Sequence, residues 1–117
     1  MTMDFSKDKP IYSQLVDRIC GDVTKGMLKP GDRLPSVREY ALESGVNVNT
    51  VQRVYKELES MEMTETKRGQ GTFITTDETR IQQLREAMKI QLADHFLASI
   101  EAFGFTKEEI LDVLRNK

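Results

Sequence analysis

The stretch Val46–Lys56, V-N-V-N-T-V-Q-R-V-Y-K, decides the fold. Val51, Val54 and Tyr55, continued by Leu58 and Met61, form one apolar stripe when projected at ~100° per residue. Asn49, Arg53 and Lys56 fall within roughly 40° of the opposite pole, with Gln52 on the flank. One side of this helix therefore belongs in a core. The other carries two amides, a guanidinium and an ammonium, in a stretch that contains no acid. On composition alone such a side is a solvated helix face. Its chemistry also suits base edges, since arginine matches guanine, asparagine or glutamine matches adenine, and lysine serves phosphate or guanine.

The flanking residues choose between these meanings. Upstream, Ser36 to Glu39 has the S-x-x-E spacing of a capping box, Val37, Tyr40 and Ala41 supply a buried side, and Gly45 ends a short helix. Asn47 is a suitable N-cap for the helix that follows. Downstream, Met63 to Lys67 and Thr72 to Thr75 are β-prone runs joined by Arg68-Gly69-Gln70-Gly71, which predicts a glycine-tipped hairpin with Lys67 and Arg68 beside it. Helix, tight turn, helix and hairpin is the order of a winged helix-turn-helix. In that setting the polar side of the second helix faces a DNA duplex, and the tip amides and cations lie along a sugar-phosphate strand.

Before this region, Pro10 is suited to the first position of a helix, and Ile11, Leu15, Ile19 and Val23, with Tyr12, Val16, Cys20 and Met27, give a broad apolar face. Gly26 and then Lys29-Pro30-Gly31-Asp32 end it. Cys20, the one cysteine, falls on that face and reads as a core residue; a single cysteine excludes an internal disulfide framework and fits a reducing compartment. After the hairpin, Ile81, Leu84, Met88, Leu92, Phe96, Ile100 and Phe103 form a long helical stripe, with Ile90 and Leu97 as a second strip. Gly104 stops this helix. Thr106 to Glu109 repeats the capping-box spacing, and Phe105, Ile110, Leu111 and Leu114 are expected to face inward from a last short helix. Two helices cannot enclose a core alone, so their apolar surface must meet the preceding domain or the same helices of a second chain.

Composition bounds the rest. The chain has 117 residues, 38% hydrophobic and 31% charged, which fits one domain or one small domain with an appendage. No apolar run approaches the ~20 residues that cross a bilayer, and M-T-M-D-F-S-K-D at the N-terminus lacks a signal core, so a cytoplasmic protein is expected. The formal net charge of −2 counts against nucleic acid. Residues 1–76 nevertheless balance 11 basic against 11 acidic residues, and no acid interrupts the chain between Lys67 and Asp77. His95, beside Asp94, has no second histidine or cysteine cluster near it, so neither metal nor cofactor is expected. No grouping of residues suggests catalysis.

Four segments together resemble the DNA-binding domain of GntR-type bacterial regulators: P-I-Y-S-Q-L, L-K-P-G-D-R-L-P-S-V-R-E-Y-A, G-V-N-V-N-T-V-Q-R-V-Y-K-E-L-E and R-G-Q-G-T-F-I. The form N-x-N-T-V-x-R-x-Y with a short two-helix tail is similar to the YtrA-type subfamily, whose members lack a large effector-binding domain and are homodimers through their C-terminal helices. The resemblance implies a mainly α fold with a small β-hairpin, divided into a winged helix-turn-helix domain at residues 1–76 and a helical dimerisation segment at 77–117. It places DNA contacts on Arg33, Ser36, Arg38, Asn47, Val48, Asn49, Thr50, Gln52, Arg53, Gly69, Gly71 and Thr72; the residue patterns add Lys56, Lys67 and Arg68. Dimerisation falls to Ile81, Leu84, Met88, Leu92, Phe96, Ile100, Phe103, Leu111 and Leu114. Many relatives carry arginine where this chain has Val48 and Gln52, so an operator cannot be transferred from them. The expected function is a transcription regulator, most often a repressor in this group, binding a palindromic duplex, with room for an unidentified small-molecule effector. The alternative is a winged-helix module that binds protein and never touches DNA.

Overall fold

The computed structural model describes residues 9–117; the N-terminal stretch expected to lack a signal core, residues 1–8, lies outside the described residues. Seven elements follow in order: α1 (Ile11–Thr24), α2 (Val37–Ser44), α3 (Val48–Ser60), β1 (Thr64–Lys67), β2 (Gly71–Ile74), α4 (Glu78–Ala102) and α5 (Lys107–Arg115). They form two compact units, Met1–Gln82 and Gln83–Lys117, and the division falls inside α4, a few residues beyond the end of the hairpin.

In the first unit, α1 and α2 both pack on α3. Leu15, Val16, Ile19, Cys20 and Val23 of α1 are buried, as are Val51, Val54, Tyr55 and Leu58 of α3. Leu34, Met63 and Ile74 complete this core from the hairpin side. Burial pushes the Cys20 thiol up to about 11, with Asp17 adding to the effect, which fits the core role expected of it. Met27 does not join this face: α1 ends at Thr24, and Met27 lies in the turn beyond it, 69% exposed. Pro10 occupies the N-cap rather than the first helical position.

Local signals set the helix ends. Ser36 and Glu39 close a reciprocal capping box, and Gly45 takes φ 70°, the left-handed conformation that turns the chain from α2 into α3. Ser44, fully buried behind this turn, donates its hydroxyl to the Tyr40 carbonyl oxygen at 2.6 Å. Tyr55 spans the two helices: its hydroxyl donates to the Pro35 carbonyl oxygen at 2.6 Å, and its ring lies 6.1 Å from that of Tyr40. Burial raises the pKa of Tyr55 above the ordinary tyrosine range.

β1 and β2 pair antiparallel in the register Thr64↔Ile74 to Lys67↔Gly71, leaving Arg68-Gly69-Gln70 as a three-residue tip. A third segment lines β2, with Leu34 N–H donating to the Thr72 oxygen and Ile74 N–H to the Asp32 oxygen, each at 2.8 Å. The hairpin is therefore anchored to the loop before α2.

In the second unit, Thr106 and Glu109 close the other capping box. The inward-facing set expected for α5 is corrected here: Ile110 is half-buried, whereas Phe105, Leu111 and Leu114 are exposed. Of the α4 stripe, Leu84 and Ile100 are buried and Ile81 and Met88 half-buried, while Leu92, Phe96 and, just past the helix end, Phe103 are exposed. A short helix beside the end of a long one has no third layer to close over its apolar side.

Candidate nucleic-acid interface

The buried stripe of α3 dictates what its other side presents. With Val51 and Val54 at zero exposure, the helix cannot rotate without emptying the core. Asn49, Gln52, Arg53 and Lys56 are consequently held in solvent. All four line an open concavity of ≈ 670 Å³ between α3 and the hairpin, together with Val37 of α2, Tyr55 and Glu59 of α3, and Thr66 and Thr72 of the two strands. Two cations and two amides thus share a trough with a single carboxylate. That arrangement suits a polyanion that also offers hydrogen-bonding edges.

The single acid is tied back. Glu59 accepts a hydrogen bond from the Thr66 hydroxyl at 2.8 Å, and Thr66 approaches Thr72 across the hairpin at 3.4 Å. This bond joins α3 to the hairpin. The sequence patterns singled out neither residue, because a glutamate and a threonine seven positions apart meet only once the hairpin has folded back. Tyr12, assigned from sequence to the apolar face of α1, is half-buried, and the Arg53 guanidinium carbon stands 3.7 Å from its ring centroid.

The remaining sequence-derived positions surround the trough without lining it. Ser36 and Asn47 are N-caps: the Ser36 hydroxyl accepts from Glu39 N–H at 3.1 Å, and the Asn47 side-chain oxygen from Asn49 N–H at 2.7 Å. The bonds from Ser36 hold the Glu39 carboxyl below its usual range. Arg38 is exposed in the first turn of α2, Thr50 is half-buried in the first turn of α3, and Val48 at its start is exposed. Lys67 places its ammonium 4.9 Å from the Phe73 ring centroid, beside the exposed tip residues Arg68 and Gly69. Arg33 belongs to the wing: it bridges to Phe73, and its Nε donates to the Gln70 carbonyl oxygen at 3.1 Å. Gly71, at φ 121°, leaves room for that guanidinium; a Cβ there would stand 2.8 Å from Arg33 Nε.

Residues 11–74, the span from α1 through the hairpin, match the family described as bacterial regulatory proteins, gntR family. The chain belongs to the GntR family. It is 40% identical over 115 residues to the HTH-type transcriptional regulator YhcF of Bacillus subtilis (strain 168), covering 98% of this chain and 95% of that one. It is 38% identical over 105 residues to the HTH-type transcriptional repressor YtrA of the same organism, covering 85% and 81%. A solved GntR family transcriptional regulator from Listeria monocytogenes superposes with a TM-score of 0.87 at 39% identity, covering 97% of this chain and 99% of that one. The winged helix-turn-helix with a helical tail is thus the fold of this GntR-family chain, and a DNA-binding transcription regulator is its functional class. Among the described residues, no helix is long and apolar enough to cross a membrane, and no three metal-ligating side chains gather.

Proposed function

We propose that this GntR-family regulator is a cytoplasmic homodimer that represses transcription by binding a palindromic operator. In each protomer α3 enters the major groove, where Asn49, Gln52 and Arg53 meet base edges and Lys56 a base edge or phosphate. Arg38 and Thr50 set the register on phosphates, and Asn47, with its capping oxygen engaged, keeps an amide NH₂ for the same backbone, near which the Ser36 cap starts α2. The wing follows the adjoining strand with Lys67, Arg68, Gly69, Gly71 and Thr72, its tip braced by Arg33. The observation that carries this reading is the trough, in which the polar side of a helix with a fully buried back is bracketed by a wing.

Homodimerisation is supported by the tail. Leu92 and Phe103 are 68% and 76% exposed, and Phe96, Leu111 and Leu114 add apolar surface that a second chain would take out of water. These five residues form the seam in the proposal, with Ile81 and Met88 at its margin; Leu84 and Ile100, already buried in the protomer, shape it from behind. Two-fold symmetry then gives half-sites about one turn (~34 Å) or a multiple apart.

Selection of bound duplexes from a random pool tests the proposal, the expected product being an inverted repeat. The low net charge favours the alternative, a protein-binding module. Arg38→Ala and Arg53→Ala separate the two readings: loss of duplex binding with the oligomeric state intact supports operator recognition, and full binding by both variants rules out the assignment.

A further inference from the structure

Arg53 leaves α3 on the solvent side, yet its guanidinium is not loose. Its central carbon sits 3.7 Å from the centroid of the Tyr12 ring. That separation is a close cation–π contact, and a ring stacked on one face of a guanidinium leaves its in-plane N–H donors uncovered. Tyr12 stands in the first turn of α1, the helix that packs on α3, and is itself half-buried. In this stacked position Arg53 still lines the trough with Asn49, Gln52 and Lys56. The conformer resting on the ring is therefore already on the reading face.

We infer that Tyr12 is a positioning residue for Arg53, an aromatic platform that orders the guanidinium before DNA arrives and so sharpens base discrimination. An arginine on an exposed helix surface samples many rotamers, and docking it onto a base edge forfeits that freedom. A ring already covering one face removes part of the loss while leaving every donor available, which improves specific binding without adding a contact to DNA. A ring that instead held Arg53 away from the groove would compete with DNA, and its removal would tighten binding. The inference rests on the proposed reading of DNA by Arg53.

The test uses the full chain, a duplex enriched from a random pool by the wild-type protein, and a scrambled duplex of equal composition. Tyr12→Phe keeps the ring and is expected to bind the enriched duplex within about twofold of wild type, whereas Tyr12→Leu weakens it about three- to tenfold per half-site. Binding of the scrambled duplex stays unchanged. Melting curves check each fold, and Tyr12→Met, unbranched and also without a ring, repeats the comparison if leucine lowers the melting temperature. A merely structural role for Tyr12 would not depend on Arg53, so the deciding measurement is a double-mutant cycle: on an Arg53→Ala background, Tyr12→Leu is expected to cost nothing further. A loss of equal size on that background, or unchanged or tighter binding by Tyr12→Leu alone, overturns the inference. If Arg53→Ala alone leaves the enriched duplex fully bound, the reading of DNA by Arg53 fails first, and the platform with it.

Discussion

Asn49 and Gly71 show how differently two residues in one interface act. Asn49 is exposed in the first turn of α3, its backbone N–H held by the Asn47 cap and its side chain in the trough. Asn49→Ala is expected to leave the melting temperature nearly unchanged and to alter base preference at one position per half-site, by roughly 1–3 kcal/mol, the worth of one bidentate pair with a base. Repeating the random-pool selection with the variant checks this, and an unchanged consensus would refute it. Gly71 works through backbone shape instead. At φ 121°, with the Arg33 guanidinium where a Cβ would stand, Gly71→Ala is expected to cost about 1–3 kcal/mol in urea unfolding. Adding Arg33→Ala would relieve the collision but not the dihedral strain, so only partial recovery is expected. The exposed place of Asn49 was legible in its sequence position, because a 3.6-residue period assigns sides to a helix. The meeting of Gly71 with Arg33 was not, since the two residues are brought together by a strand pairing that no local pattern encodes.

The hairpin is braced on two sides: the Glu59–Thr66 hydrogen bond ties it to α3, and the Leu34–Thr72 and Ile74–Asp32 backbone bonds, with Arg33 on Gln70, tie it to the loop before α2. A wing braced in this way can present cations to a backbone at fixed distance from the reading helix. Lys67→Ala and Arg68→Ala are expected to weaken enriched and scrambled duplexes alike. Each should lower the slope of log affinity against log salt by about one unit for each phosphate it leaves without its cation. Titrations at several salt concentrations measure that slope; an altered base preference with an unchanged slope would reassign these residues. Sequence patterning located the hairpin within a residue or two, through its β-prone runs and glycines. It offered no sign of the third segment, Asp32 to Leu34, whose pairing is set by where the loop before α2 must run.

For the whole molecule, the boundary between the units falls within α4, and this changes how the tail should be removed. Arg80 pairs with Glu62 and Ile81 is half-buried, so the first turn of α4 belongs to the winged unit. A chain ending at Gln82 is therefore expected to be a folded monomer that binds one half-site, with operator affinity lower by a factor of about 10²–10⁴, because coupling two modules raises avidity by that much. Sedimentation and duplex titration check both statements, and tight operator binding by the monomeric fragment would remove the role given to the tail. A chain ending at Thr76 is expected to be less stable, lacking the interactions of Arg80 and Ile81.

By itself the sequence determined both ends of α2, the capped starts of α3 and α5, the buried stripe and polar side of α3, the existence and tip of the wing, and the family. Each rests on local rules: caps satisfy nearby backbone donors, glycine permits positive φ, and helical periodicity sorts apolar from polar positions. Only the tertiary structure decided that Arg53 lies on Tyr12, that Glu59 faces Thr66, that Arg33 belongs to the wing, and that Leu111 and Leu114 of α5 are left exposed within the protomer. Each of these depends on how segments distant along the chain meet or fail to meet. Periodicity states that a side chain must leave water, but the packing of whole elements chooses its neighbour. The stretch Val46–Lys56 thus specified which residues of α3 lie on its exposed side, while α1 and the hairpin supplied the geometry in which they are held.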